Sequence, residues 1–136
     1  MSMSEQNTTI WKAPVATAPI DATVTIPGSK SLSNRFLILA ALSRKPVRIE
    51  GLLRSRDTEL MMGALKALGV AFQEDATEPT TVTVIPPAEG FTGNTEVFCG
   101  LAGTVMRFVP PLTLFAKGPV RFDGDEQAYA RPMGGA

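Results

Sequence analysis

The sequence has no histidine, one cysteine, one tryptophan and one tyrosine in 136 residues. Each scarcity excludes something. Without histidine there is no Ser-His pair and no imidazole base, so proton transfer would fall to Asp, Glu or Lys. Cys99 can close no internal disulfide and fits a reducing compartment; with histidine absent, no thiolate or imidazole set exists for a metal. Thirteen basic residues balance thirteen acidic ones, and no basic face is interleaved with aromatics, which argues against nucleic acid as a partner. The longest apolar run, 36–42, is far short of a bilayer span, and the polar first nine residues lack the apolar core of a signal peptide. There is neither a G-x-G-x-x-G nor the glycine spacing of a nucleotide P-loop, so ATP and NAD are disfavoured. No cofactor is called for.

What remains is a chain with 44% hydrophobic residues and a mean hydropathy of +0.11, enough for one core. The stretch Pro27-Gly28-Ser29-Lys30-Ser31-Leu32-Ser33-Asn34-Arg35 organises it. Gly28 permits a tight turn, Ser29 and Ser31 are N-cap candidates, and the free N–H groups of the following helical turn present the positive end of a dipole. Such a turn attracts anions. Lys30 adds a point charge; Arg35, four residues after Ser31 and on its face of the helix, adds a planar fork for phosphate or carboxylate. The plainer reading is an ordinary capped helix with solvated charges.

Around this stretch, residues 1–10 read as disordered and 11–19 as an extended Pro/Ala segment anchored by burial of Trp11. Ile20, Ala22, Val24 and Ile26 alternate with polar residues as a half-buried strand. A helix over about 31–43 and a strand over 47–50 follow. The loop 52–56 leads to a second helix, which Asp57 is expected to cap and which carries Leu60, Met61, Leu65 and Leu68 at helical spacing, with Gly69 just past its end. Segments 70–73 and 80–85 read as a hairpin. The order is β-α-β-α-β-β.

That order then restarts. Lys45-Pro46-Val47-Arg48-Ile49-Glu50-Gly51 is matched by Gly118-Pro119-Val120-Arg121-Phe122-Asp123-Gly124, each after an apolar helix that follows a small-residue turn. The second turn, Gly100 to Thr104, opens a helix expected over 105–115, with Arg107 one turn in. Gly103 and Thr104 make a second candidate anion turn; alternatively Gly100 and Gly103 serve close packing, while Arg107 snorkels or pairs with Asp57 or Asp123. Arg131 stands where a further helix should begin, and the pattern breaks off there, so the chain is expected to be part of a longer protein. Met61, Met62 and Met106 fall at core spacing. Cys99, in a Val-Phe-Cys strand, reads as buried and inert.

Three motifs in this order, 27–35, Gly100-Leu101-Ala102-Gly103-Thr104-Val105-Met106-Arg107, and Asp123 through Pro132, closely resemble the N-terminal part of the 5-enolpyruvylshikimate-3-phosphate synthase family. The resemblance implies a mixed α/β fold of βαβαββ units in an inside-out α/β barrel, here incomplete, with residues 1–19 crossing from another domain and 20–136 giving one and a half units. It implies a cytoplasmic, usually monomeric transferase of the shikimate pathway, which moves the enolpyruvyl group of phosphoenolpyruvate onto shikimate 3-phosphate. Carried over by motif, Lys30 is the catalytic lysine and a phosphoenolpyruvate ligand. Ser31 and Arg35 hold shikimate 3-phosphate, Gly103 lies against phosphoenolpyruvate, and Arg131 holds its phosphate or carboxylate. Asp57, Thr104 and Arg107 are secondary candidates.

Two positions depart from the family's habit: Leu101 stands where asparagine is common and Phe108 where proline is. The resemblance also places the catalytic carboxylates in the other domain, so this chain alone is expected to be inactive. A UDP-N-acetylglucosamine enolpyruvyl transferase shares the architecture but lacks the 27–31 motif. A non-catalytic anion-binding half-domain is the alternative of a different class.

Overall fold

A computed structural model describes residues 10–132, so the readings made for 1–9 and for the last four positions lie outside the described residues. Helix α1 (Lys30–Ala41) begins where Ser29, in extended conformation, accepts a hydrogen bond from Leu32 N. Of the two candidate caps, Ser29 serves, and Ser31 is already inside the helix. The helix stops short of 43, before the Arg44-Lys45-Pro46 break.

Helix α2 (Arg56–Ala67) corrects a second expectation. Its N-cap is Ser55, in a capping box with Thr58, and not Asp57. Ser55 and Thr58 satisfy one another's backbone donors, which leaves Asp57 in the first turn, where its charge complements the helix dipole. Gly69, at φ +96°, turns the chain out of α2 in the left-handed conformation that glycine adopts freely.

Strands β1 (Val47–Ile49), β2 (Ala71–Glu74) and β3 (Val82–Ile85) form an antiparallel sheet in the order β1-β3-β2. The β2–β3 hairpin is as expected, its turn held by Asp75 Oδ1, which accepts from the N–H groups of Thr77 and Glu78. Strands β4 (Thr95–Phe98) and β5 (Val120–Asp123) pair in parallel, with Val97 opposite Phe122. Cys99 lies one residue beyond β4, buried, and its burial pushes the thiol pKa up, which suits an inert packing role.

The connection from β4 to β5 differs from the single helix expected over 105–115. It contains α3 (Gly103–Phe108) and then a 3-10 segment, Pro110–Phe115. Pro110 and Pro111 lack the N–H that an α-helix interior needs, so the tighter form takes over.

The core lies where α1, α2 and α3 meet the inner faces of the strands. Leu37, Met61, Met62, Leu65, Leu68, Val82, Val84, Val97, Val105 and Val109 are all fully buried there. Residues 20–26 do not form the expected strand, and Ile20, Val24 and Ile26 are about four-fifths exposed. Alternation alone makes no strand, because the ladder needs a partner edge and the apolar face something to cover it. Trp11 is likewise exposed rather than an anchor.

A correspondence between the two halves survives the missing strand. A Cβ on Gly28 would lie 2.2 Å from the carbonyl oxygen of Gly51, and one on Gly124 would lie 2.8 Å from that of Gly100. Each helix-opening turn therefore rests on the glycine that closes the next strand.

Candidate functional site

Lys30 is the first residue of α1, and no acid stands in that turn. A cation at a helix N-terminus opposes the dipole, so an anion is required nearby. Asp57 supplies it: its Oδ2 lies 3.0 Å from Lys30 Nζ across the α1–α2 junction, in a pair that stays partly open to solvent.

An α-helix turns about 100° per residue. Lys30 and Asn34 therefore share one face, and Ser31 and Arg35 share the next. Asn34, fully buried, donates from Nδ2 to Thr104 Oγ1 at 2.8 Å and so ties the second turn of α1 to the start of α3. Beside it Ser33 Oγ accepts from Leu53 N at 3.0 Å, fixing the approach to α2. Ser31 and Arg35 are both exposed, and among the described residues Arg35 has no ion pair.

The second turn divides the two readings made of its glycines. Gly100 is packed, since a Cβ there would come within 2.7 Å of Leu60 Cδ1. Gly103 is not: a Cβ would meet nothing within 4 Å. Packing among the described residues thus gives no reason for glycine at 103, whereas the close approach of a ligand would. Arg131 reaches the same turn, its Nη1 donating to Leu101 O at 2.8 Å.

Arg107 is exposed and pairs with neither Asp57 nor Asp123, contrary to one expectation. Asp57 is taken by Lys30, while Asp123 accepts from Gly124 N and from the Tyr129 hydroxyl. That phenol and the Gly124 N–H hold the Asp123 carboxyl below the usual carboxylate range, and the carboxylate in turn raises the Tyr129 pKa.

Lys30, Asp57, Gly103, Thr104 and Arg131 are thus linked through α1, α2 and the α3 turn, with Ser31 and Arg35 on the adjoining exposed face of α1. Sequence reasoning missed Asn34, whose side chain does not stand out among Ser31, Ser33 and Arg35 in the polar first half of α1. It also missed the Arg56–Asp125 pair at 2.7 Å, for which no local signal exists across 69 residues. An apolar hollow of about 220 Å³ between Cys99, Met106, Phe122 and Tyr129 has the wrong chemistry for an anion, its one charged lining group being the Asp123 carboxylate. Among the described residues no cluster of acidic or thiol side chains is arranged to hold a metal, and no helix is long and apolar enough to cross a membrane.

The sequence profile of EPSP synthase (3-phosphoshikimate 1-carboxyvinyltransferase) matches residues 15–135. A 3-phosphoshikimate 1-carboxyvinyltransferase of Bifidobacterium longum is 70% identical over 132 residues, which are 96% of this chain and 30% of that protein. The chain therefore spans under a third of that relative's length. Among solved structures, an EPSP synthase from Acinetobacter baumannii superimposes with a TM-score of 0.72 at 25% identity, over 81% of this chain and 25% of that one. With the profile covering nearly its whole length and all three motifs inside the matched stretch, the chain belongs to the EPSP synthase family.

Proposed function

We propose that this chain supplies one wall of a site that transfers the enolpyruvyl group of phosphoenolpyruvate to the 5-hydroxyl of shikimate 3-phosphate, releasing phosphate. The observation that carries the reading is the junction of α1 and α3. There a lysine, a hydroxyl-capped helix start and a glycine facing open space are held together by the Asn34–Thr104 hydrogen bond. Both substrates are polyanions, and the wall offers helix N–H groups, an ammonium and guanidinium forks, which are strong partners for phosphate and carboxylate.

Within this reading each group has a task. Lys30 binds phosphoenolpyruvate and stabilises negative charge that develops as the enolpyruvyl group moves. Ser31 and Arg35, on the adjoining face, hold the shikimate 3-phosphate. Gly103 lets phosphoenolpyruvate approach the backbone, and Arg131, steadied on Leu101 O, holds its phosphate or carboxylate. Asp57 keeps Lys30 aimed when no substrate is present. By the family resemblance, the carboxylates that transfer the proton belong to the other domain. Leu101 and Phe108 give the phosphoenolpyruvate pocket a shape of its own.

The architecture we propose is a run of βαβαββ units from an inside-out α/β barrel. Residues 1–19 cross from a second domain and 20–136 form one and a half units. The parallel β4–α3–β5 arrangement and the two glycine contacts support the repeat. A protein working in a reducing compartment such as the cytoplasm fits the lone, buried thiol.

The test is phosphate release from shikimate 3-phosphate and phosphoenolpyruvate. The 136-residue chain alone is expected to show none above background. The complete protein, with the chain continued as in its Bifidobacterium longum relative, is expected to turn over, and Lys30→Ala in it to lose on the order of 10²-fold or more in kcat/KM for phosphoenolpyruvate. An unchanged kcat/KM removes Lys30 from the site.

A further inference from the structure

Asn34 is fully buried, yet only one end of its amide is satisfied: Nδ2 bonds to Thr104 Oγ1 at 2.8 Å, while Oδ1 has no hydrogen-bond partner among the described residues. Buried polar atoms are overwhelmingly paired, and a bare interior carbonyl destabilises the fold. Leucine, branched at the same carbon and with as many side-chain heavy atoms, would leave no bare oxygen in its place. An amide that weakens the core where an aliphatic side chain would strengthen it points to a geometric role.

Its single bond shows what that role is. The contact spans 70 residues of sequence and joins the second turn of α1 to the opening turn of α3. On α1, Lys30 stands one turn before Asn34 on the same face. On α3, Gly103 is the immediate neighbour of Thr104. We infer that Asn34 is a positioning residue, which sets the opening turn of α3 against that of α1 so that Lys30 and Gly103 address one phosphoenolpyruvate. The inference rests on the reading of the site given above. It deepens that reading by assigning the alignment of its two halves to a residue that touches neither substrate.

The consequence is a split between the substrates. Ser31 and Arg35 both belong to α1, so their geometry does not depend on the α1–α3 tie. Phosphoenolpyruvate, bound across the two helices, does depend on it.

The experiment uses the complete protein with Asn34→Leu, Thr104→Val and the double substitution. Thermal unfolding of Asn34→Leu is expected at or above the unsubstituted Tm, since the unpaired carbonyl is gone. KM for phosphoenolpyruvate is expected to rise on the order of 10-fold to 100-fold, while that for shikimate 3-phosphate stays within about threefold, because a small misplacement of binding groups is enough to cost that much. The double variant is expected to lose no more than the worse single one, as for two ends of one interaction.

Equal increases in both KM values, an unchanged phosphoenolpyruvate KM, or additive losses in the double variant would overturn the assignment. Should Asn34→Leu fail to fold, the same substrate split in Thr104→Val decides, since Thr104 is only half-buried. Turnover in the unsubstituted protein separates the two levels: if it is absent, the site reading itself fails, and if it is present with unaltered kinetics in the variants, only the tie fails.

Discussion

Lys30 Nζ and Asp57 Oδ2 stand 3.0 Å apart, the first residue of one helix facing the first turn of the next. The carboxylate answers both dipoles. Asp57 is favourable at the start of α2, and it supplies the anion that a lysine at the start of α1 needs. With the lysine about half exposed, the pair adds little to stability, about 1 kcal/mol or less. Asp57→Ala in the complete protein is therefore expected to shift Tm by only a few degrees and to raise KM for phosphoenolpyruvate several-fold or more as Lys30 loses its restraint. Thermal unfolding and steady-state kinetics check the two halves separately. A large Tm loss with unchanged KM would make the pair a structural strut.

Gly103 gives a cleaner separation of fold from function. Beyond its chain neighbours and its own helix backbone, a methyl group there meets nothing within 4 Å, so Gly103→Ala, at the first position of α3, is expected to fold normally. Phosphoenolpyruvate, by contrast, would have to share that space. Its KM is expected to rise on the order of tenfold or more, because tight sites tolerate added volume poorly. A variant as active as the parent would show that no ligand approaches this turn.

Tyr129 is the sole tyrosine of the 136 residues, so in this chain taken by itself phenolate absorbance reads its titration without interference. Its hydroxyl donates to Asp123, which favours the neutral phenol and raises its pKa above the ordinary value of about 10. The signs follow from the two directions. The tyrosine's contribution to stability is present below pH about 10 and is lost as pH rises through the raised value. That of Asp123, whose pKa is depressed, is present above pH about 4 and is lost as pH falls. Asp123→Asn is expected to bring the Tyr129 midpoint back toward its ordinary position. A midpoint in the parent at or below 10 would mean that the contact does not persist in solution. The contact matters because it anchors the turn that carries Arg131 to Leu101.

How far the sequence could be read depended on the range of the interactions. Helices α1 and α2, the β2–β3 hairpin and the turn at Gly69 rest on periodicity, caps and left-handed glycine within a dozen residues, and all of these were legible. The exact cap was not, because Ser55 and Asp57 are both competent and only the reciprocal bonding with Thr58 decides between them. The helix expected over 105–115 overlooked what Pro110 and Pro111 do together. The strand expected over 20–26 failed for a different reason: its alternation is real, but the partner edge is not something a local pattern contains. At the site, the charged residues were found through their motifs, while the Asn34–Thr104 tie and the Arg56–Asp125 pair join residues about seventy positions apart and exist only once the helices pack.

Gly28 carries the last prediction, since it sits where the motif meets the fold. The Cβ of an alanine there would stand 2.2 Å from Gly51 O, 3.4 Å from Gly51 C and 3.5 Å from Leu53 N, all backbone atoms that cannot rotate away. Either the turn before α1 or the end of β1 must shift. The cost should resemble that of overpacking, about 1–3 kcal/mol, well beyond the conformational benefit of replacing glycine. Because Ser29 and Lys30 follow directly, the shift would also displace the helix cap and the ammonium. Gly28→Ala in the complete protein is therefore expected to lower Tm and to weaken phosphoenolpyruvate use together, whereas Gly103→Ala weakens use alone. Chemical denaturation alongside kinetics on both variants makes the comparison, and a Gly28→Ala protein as stable and active as the parent would show that the turn does not rest on Gly51.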